Sequence, residues 1–321
     1  MWNQFMCVLL FGTAVVGQLP PLPTSKVTLK VVDENGNAVP DAIVNFGFSE
    51  AHPKWGGGIG VSVKTVTDDT GSASGSGYSS ETVGCDVHKD GYYDGGPSHI
   101  EFKDAVLGRW QPWNPVYKVV LKKILNPIPM YAKHVRIVVP AFDQPIGFDL
   151  AAADWVKPFG TGTTSDLVFT MSHTLNGPMD FSATLLLAFT NGEDGLQVVP
   201  KNLKQDQGWS RLTFPRNAPE AGYNHSWTTT LTRVPGKFKE EHVDGMGYFF
   251  RVRTAATDNG EIKSANYGKI AGDISIVGAA IEHPGIAFTY YFNPTGTTNL
   301  EFDPTKNLLE NLEFLEQVQT P

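Results

Sequence analysis

The chain has 321 residues, with 33 glycines, 22 prolines, 11% aromatic and 18% charged residues and a formal charge of -8. That length fills one large domain or two ordinary ones, and the turn-rich, aromatic-bearing profile excludes a disordered chain. The acidic balance, with no run of Lys or Arg longer than a pair, argues against nucleic acid or an anionic membrane as the principal partner.

Phe5 to Gly17 (FMCVLLFGTAVVG) is a run of apolar and small residues too short to span a bilayer, ahead of Gln18 and a Pro-rich stretch. It reads as a secretory leader over residues 1–17, even though Met1-Trp-Asn-Gln4 carries no basic residue. The expected location is secreted, periplasmic or at the cell surface. With Cys7 in the leader, the mature chain holds Cys85 alone, so a disulfide scaffold is excluded. Cys85 alternates with Val83 and Val87 and reads as a small buried hydrophobe. No other apolar run approaches the length of a membrane span, so none is expected in the mature chain.

From Lys26 the pattern becomes strand, turn, strand. Val27, Leu29 and Val31 alternate with more polar neighbours, Asp33-Glu-Asn-Gly36 supplies a turn, and Ala42 to Phe46 resumes the strand pattern. Val61 to Thr67 alternates, Asp68-Asp-Thr-Gly71 turns, and Ser72 to Ser80 is a small-residue strand or loop. Val83 to His88 and Val116 to Leu121 complete an all-β unit of ordinary domain size.

Lys26-Val-Thr-Leu-Lys-Val-Val-Asp-Glu-Asn-Gly-Asn-Ala-Val-Pro-Asp-Ala-Ile-Val44, Thr67-Asp-Asp-Thr-Gly71 and His88-Lys-Asp-Gly-Tyr-Tyr93 together resemble the carboxypeptidase regulatory-like domains of the transthyretin-like β-sandwich group. The resemblance covers roughly residues 25–125 and implies a transthyretin-like or Ig-like sandwich. It implies no activity, because such modules accompany adhesins, enzymes and transporters alike. Two stretches depart from the pattern: Ala51 to Gly60, and Tyr93 to Val116 with Trp110-Gln-Pro-Trp113 inside it. Adhesin domains near this group carry an intramolecular bond between a first-strand Lys and a last-strand Asn, for which Lys30 and Asn114 are the nearest candidates.

Asn126-Pro-Ile-Pro-Met130 reads as a Pro-rich linker over residues 126–132, since each proline removes a backbone donor. Beyond it, strands are expected at His134–Val139, Asp166–Thr174, Met179–Thr190, Ser226–Val234, Gly247–Ala255, Lys269–Val277 and Gly285–Asn293. The clearest alternation is Phe181, Ala183, Leu185, Leu187 and Phe189. Without a βαβ rhythm, a second antiparallel sandwich over residues 133–302, of jelly-roll type, is the expectation. Asp303-Pro304 followed by Leu308, Leu309, Leu312, Leu315 and Val318 at helical spacing predicts a C-terminal amphipathic helix over 303–319. Its apolar stripe would dock on its own domain or support self-association. The stretch from Tyr290 to Pro304 also resembles the tail of uncharacterised secreted bacterial proteins, which implies no activity.

Eight histidines show no metal-ligand spacing, and the Glu-His pairs at 241–242 and 282–283 point to opposite faces if extended. The acidic turns lack a full calcium-loop ligand set, Gly71-Ser-Ala-Ser-Gly75 has no nucleophile-elbow serine, and Trp55-Gly-Gly-Gly-Ile-Gly60 lacks the Gly-Lys of a phosphate loop. No metal or cofactor is expected. The suggestive residues are Trp55, Tyr92, Tyr93, Trp110 and Trp113, aromatics in or beside loops, where flat rings grip pyranoses or protein partners. Trp110 and Trp113 capping the end of the sandwich is an equally good reading. The leading expectation is an exported, non-catalytic protein binding an extracellular polymer, such as a glycan, or a surface protein. A secreted hydrolase with its site in the second domain and a structural envelope subunit are the alternatives.

Overall fold

The computed structural model describes residues 22–51, 58–97, 99–200, 209–241 and 245–321. The leader, His52, Trp55 and His242 lie outside these residues. Among the described residues, one compact unit runs to Leu121 and includes Trp209; the other holds residues 122–200 and 210–321. Among the described residues there are strands and turns but no helix.

The first unit begins with β1 (Thr24–Asp33), β2 (Ile43–Ala51), β3 (Gly58–Val66), β4 (Ser72–Tyr78) and β5 (Thr82–His88). Short strands follow: β6 (Tyr92–Tyr93), β7 (Gly95–Gly96), β8 (Ile100–Glu101), β9 (Asp104–Val106) and β10 (Arg109–Gln111), before β11 (Val116–Lys123). One sheet runs β6-β11-β1-β10-β9, with β4 also paired to β1; the other includes β7-β5-β2-β3, with β8 on β5. Val27, Leu29 and Val31 of β1 bury against Val44, Phe46 and Phe48 of β2 and Val83, Cys85 and Val87 of β5, so the core lies between the two sheets.

Strand β4, Ser72-Ala-Ser-Gly-Ser-Gly-Tyr78, owes its composition to that core. Its inward positions are Ala73, Gly75 and Gly77 because the rings of Phe46 and Phe48 fill the space a side chain would take; a Cβ on Gly77 would stand 2.8 Å from Phe48 Cγ. Gly75→Ala, which drives a methyl into the Phe46 ring, is expected to cost roughly 1–3 kcal/mol, seen as a lowered urea midpoint with unchanged slope. Gly71, at φ 75°, closes the turn before β4 with no room for a Cβ against the Val31 and Val39 backbone.

In the second unit the strands are β12 (Ile128–Val138), β13 (Ile146–Asp149), β14 (Asp154–Trp155), β15 (Leu167–Gly177), β16 (Asp180–Ala188) and β17 (Gly195–Val199). β18 (Trp209–Ser210), which pairs with β7 in the first unit's second sheet, comes next in the chain, and the second unit continues with β19 (Ser226–Val234), β20 (Lys237–Glu240), β21 (Gly247–Ala256), β22 (Ile262–Val277), β23 (Gly285–Asn293) and β24 (Phe302–Asn307). Two six-stranded sheets result, β17-β21-β22-β23-β12-β24 and β14-β13-β15-β16-β19-β20. Phe181, Ala183, Leu185, Leu187 and Phe189 are all buried, meeting Phe250, Ile270, Phe288 and Phe292 from the other sheet. Both units are thus all-β, with sheets enclosing a core as in a sandwich.

Two sequence expectations are corrected. Residues 128–132 are not a linker but the start of β12, and Pro129 is tolerated because the β12–β24 ladder shifts register between Ile128↔Phe302 and Met130↔Asn307. The C-terminal helix does not form. Asp303 and Pro304 lie in β24, Asp303 accepts from the Thr305 amide (3.0 Å), and Phe302 is buried with Met130, Ala132, Tyr291 and Val318. Asn307 extends the strand pairing through its amide, which accepts from Ala132 N at 3.2 Å and donates to Ala132 O at 2.7 Å. These side-chain-to-backbone bonds compete with helix. Residues 308–321 are irregular, with Leu315 82% exposed, so the leucine stripe is not a packed face and self-association through a helix has no helix to use.

Candidate functional site

The outer face of the first unit's β4-β1-β10/β11 sheet is built by register. Tyr78, Thr24, Arg109 and Val106 stand side by side across β4, β1, β10 and β9. Ser76 lies beside Lys26, then Ser74 beside Thr28 and Val116, then Ser72 beside Lys30 and Lys118. Since strand side chains alternate, the positions that bury Val27, Leu29 and Val31 leave these residues on the opposite face. Thr28 Oγ1 bonds Ser74 Oγ at 2.7 Å and donates to Asn114 Oδ1 at 2.8 Å. Asn114 adopts φ 56°, a left-handed conformation Asn accepts readily, which turns its amide onto this face.

The five candidate aromatics separate. Trp110 is tied down: its indole N–H donates to Ser79 O at 2.8 Å, and its ring packs near Phe102 and the core. Tyr93 is buried and Tyr92 half-buried against the same core. Trp55 lies outside the described residues. Among the four described candidates, Trp113 alone keeps an open ring, 37% exposed, with the Arg109 guanidinium 5.0 Å from its centroid. Sequence reasoning missed Tyr78, 43% exposed in the same row as Arg109, and the serines of β4. The period-two Ser alternation ending in Tyr78 was the available signal.

Other candidates prove structural. Lys30 donates to the Thr70 carbonyl, and Asn114 is held by Thr28, so each member of the proposed covalent pair is engaged elsewhere. Asp33 accepts from Asn35 N and Asn37 N, each at 2.9 Å. Asp68 accepts from Thr70 N and Ser72 N, and bonds led by the one from Ser72 hold its carboxyl below the usual range. These carboxylates close their own turns. Cys85 is buried, and its thiol is pushed up to about 12, chiefly by that burial, as suits a core residue. Among the described residues no cluster of three metal-ligating side chains occurs.

In the second unit, Arg253 grips Asp166 with two bonds, Nε to Oδ1 at 2.7 Å and Nη2 to Oδ2 at 2.8 Å. Burial raises the Asp166 carboxyl even so, while Arg253 and the Leu150 amide pull the other way. Burial would also raise neighbouring Asp149, but amide donors from Thr163, Thr164, Ala152 and Ala151 hold it low. The cluster spends its polar valences on its own side chains and on the backbone. A groove of about 540 Å³, lined by His134, Arg136, Asp273, Ser275, Thr289 and Glu316 among others, opens where three residues of β22 face one of β23. Burial lowers the pKa of His134, which bonds Thr289 Oγ1 at 2.6 Å. No Trp or Tyr lines the groove.

No family model matches the chain, and no curated protein matches it. Among solved structures, 3-chlorocatechol 1,2-dioxygenase from Rhodococcus opacus is similar at 13% identity over 32% of this chain, with a TM-score of 0.26; the match spans 61% of that enzyme. A candidate carbohydrate binding protein from Bacteroides uniformis ATCC 8492 is similar at 12% identity over 83% of this chain and 97% of its own, with a TM-score of 0.17. At such scores neither likeness bears on this chain's fold or chemistry.

Proposed function

We propose that the chain is an exported, non-catalytic binding protein that holds an extracellular glycan on the outer face of its first unit, a sandwich of the regulatory-like group. The observation that carries this reading is one sheet face offering the open ring of Tyr78, with the open ring of Trp113 brought beside it from the β10–β11 loop by Arg109, and the hydroxyls of Ser74, Ser76, Thr24 and Thr28 and the amide of Asn114. Rings receive the C–H faces of pyranoses while hydroxyls and amides pair with sugar hydroxyls, and the β4 serines are short enough to keep the face flat. The strands beneath are fixed by a packed core, so the face is preorganised.

The test is to incubate the protein with a panel of polysaccharides, measuring protein depletion and released reducing ends in the same tube. Depletion without sugar release is expected. Trp113→Ala combined with Tyr78→Ala is expected to weaken binding at least about tenfold, or ~1.4 kcal/mol, at unchanged thermal stability. Trp110→Ala, which removes a packed ring, is expected to lower stability instead. Released sugar would establish the hydrolase alternative.

A further inference from the structure

Resting on the reading of that face as a glycan site, we infer that its ligand class is an anionic polysaccharide, one carrying carboxylate or sulfate groups. Four cations stand on the face: Arg109 in the Tyr78 row, Lys26 in the next, and Lys30 beside Lys118 further along β1. From Thr24 to Lys30 the face extends about 20 Å at the usual strand rise, a length suited to a linear chain of several sugars. On the strands of this face the carboxylates among the described residues are Asp104, beside Gln111, and Asp33, which is buried at the end of β1 and bonded within its own turn. Asp68 lies close enough to Lys30 to feel it, but its carboxylate is already committed to its own turn.

This concentration of positive charge occurs in a chain whose formal charge is -8, so it runs against the overall balance. At physiological salt the field is screened within about 8 Å; a polymer seated on the rings therefore meets the local lysines rather than the distant acidic surface. Arg109 combines both roles, since its guanidinium covers one side of Trp113 while remaining open to an anion. Lys30 already donates to the Thr70 carbonyl, but a neutral glycan would offer no anion to Lys26, Lys118 or Arg109. A charged one places an acidic group near them while its ring faces meet Trp113 and Tyr78.

The experiment measures binding of the full chain to polygalacturonate, dextran sulfate, neutral dextran and duplex DNA over a range of salt concentrations. Polygalacturonate or dextran sulfate should bind in preference to dextran, with affinity falling as salt rises; the tighter of the two identifies carboxylate or sulfate as the preferred group. Lys26→Gln with Lys118→Gln, which leaves the Arg109–Trp113 contact in place, should weaken that binding at least tenfold and flatten its salt dependence at unchanged thermal stability. Salt-insensitive binding to dextran equal to that of the acidic polymers would overturn the inference while leaving the glycan reading standing. Binding to none of the polysaccharides would overturn both. DNA binding as tight as the acidic polysaccharides would overturn the sugar class.

Discussion

Replacing Lys269 by Met is expected to remove a pH dependence of stability that the unaltered protein shows above about pH 7. Lys269 is fully buried on β22; its ammonium donates to Leu300 O at 2.9 Å and lies 4.4 Å from the Tyr291 ring centroid and 5.4 Å from that of Phe214. Burial first, and then Lys122, lower its pKa from 10.5 to about 7, against the opposing pull of Glu301. In the unfolded chain the amine keeps its proton up to its ordinary pKa; in the folded one it loses it near neutrality. Between these points the unfolded state binds one more proton, so stability rises with pH, approaching about 1.4 kcal/mol per unit. Below the folded pKa both states are charged and the contribution is flat and fully unfavourable.

Urea unfolding at roughly pH 6.5 and pH 8.5 tests this, with the unaltered protein more stable at the higher value and Lys269→Met nearly indifferent. The window stops there because Cys85 acts in the opposite sense: its thiol, about 12 when folded against 9.0 ordinarily, makes stability fall once the unfolded thiol ionises. An equal pH slope in the Met variant would show that Lys269 is not its source.

Arg253→Leu should destabilise the second unit by roughly 2–4 kcal/mol, more than any surface change in it. The substitution leaves Asp166, whose side chain has no exposure, with an uncompensated charge and removes two bonds at once. Arg253 itself is partly exposed, which places the cost toward the lower end of that range. Because Asp166 also accepts from the Leu150 amide, the loss should loosen the connection after β13. Hydrogen exchange of Leu150, Ala151 and Thr163 amides would register it, and the double variant Arg253→Leu with Asp166→Asn should recover part of the loss.

Strand positions were legible wherever the core imposed a period of two. Ser226–Val234 and Gly285–Asn293 agree end to end with β19 and β23, and Val27, Leu29 and Val31 all face inward. What failed depended on partners distant in the chain. Leu308 to Val318 has helical spacing, but Asn307 and Phe302 are drawn into pairing with β12, more than 170 residues earlier. Pro129 looked like a break because the register shift that accommodates it belongs to β24. The candidate site divides in the same way. Trp113 was visible as a loop aromatic beside proline, whereas Tyr78 acquires its meaning only when β4 pairs with β1 and β1 with β10. The rival reading had Trp110 and Trp113 both capping the sandwich; Trp110 packs on the core and bonds Ser79, a contact spacing alone does not reveal, whereas Trp113 stays partly open.

The β12–β24 pairing also sets a timetable for synthesis. In the first unit β1 finds its β4 and β11 neighbours by Lys123, so its sheet can close while most of the chain is still being made. In the second unit the β13–β20 sheet is complete by Glu240, but the sheet that holds β12 has no such early closure. The unit's opening residues, Leu125 and Asn126, donate to Glu301, and Met130 and Ala132 are covered only when Phe302 and Val318 arrive. Until the final strand emerges, that sheet keeps an apolar seam open, and during this interval the nascent second unit exposes a surface that can pair with other chains.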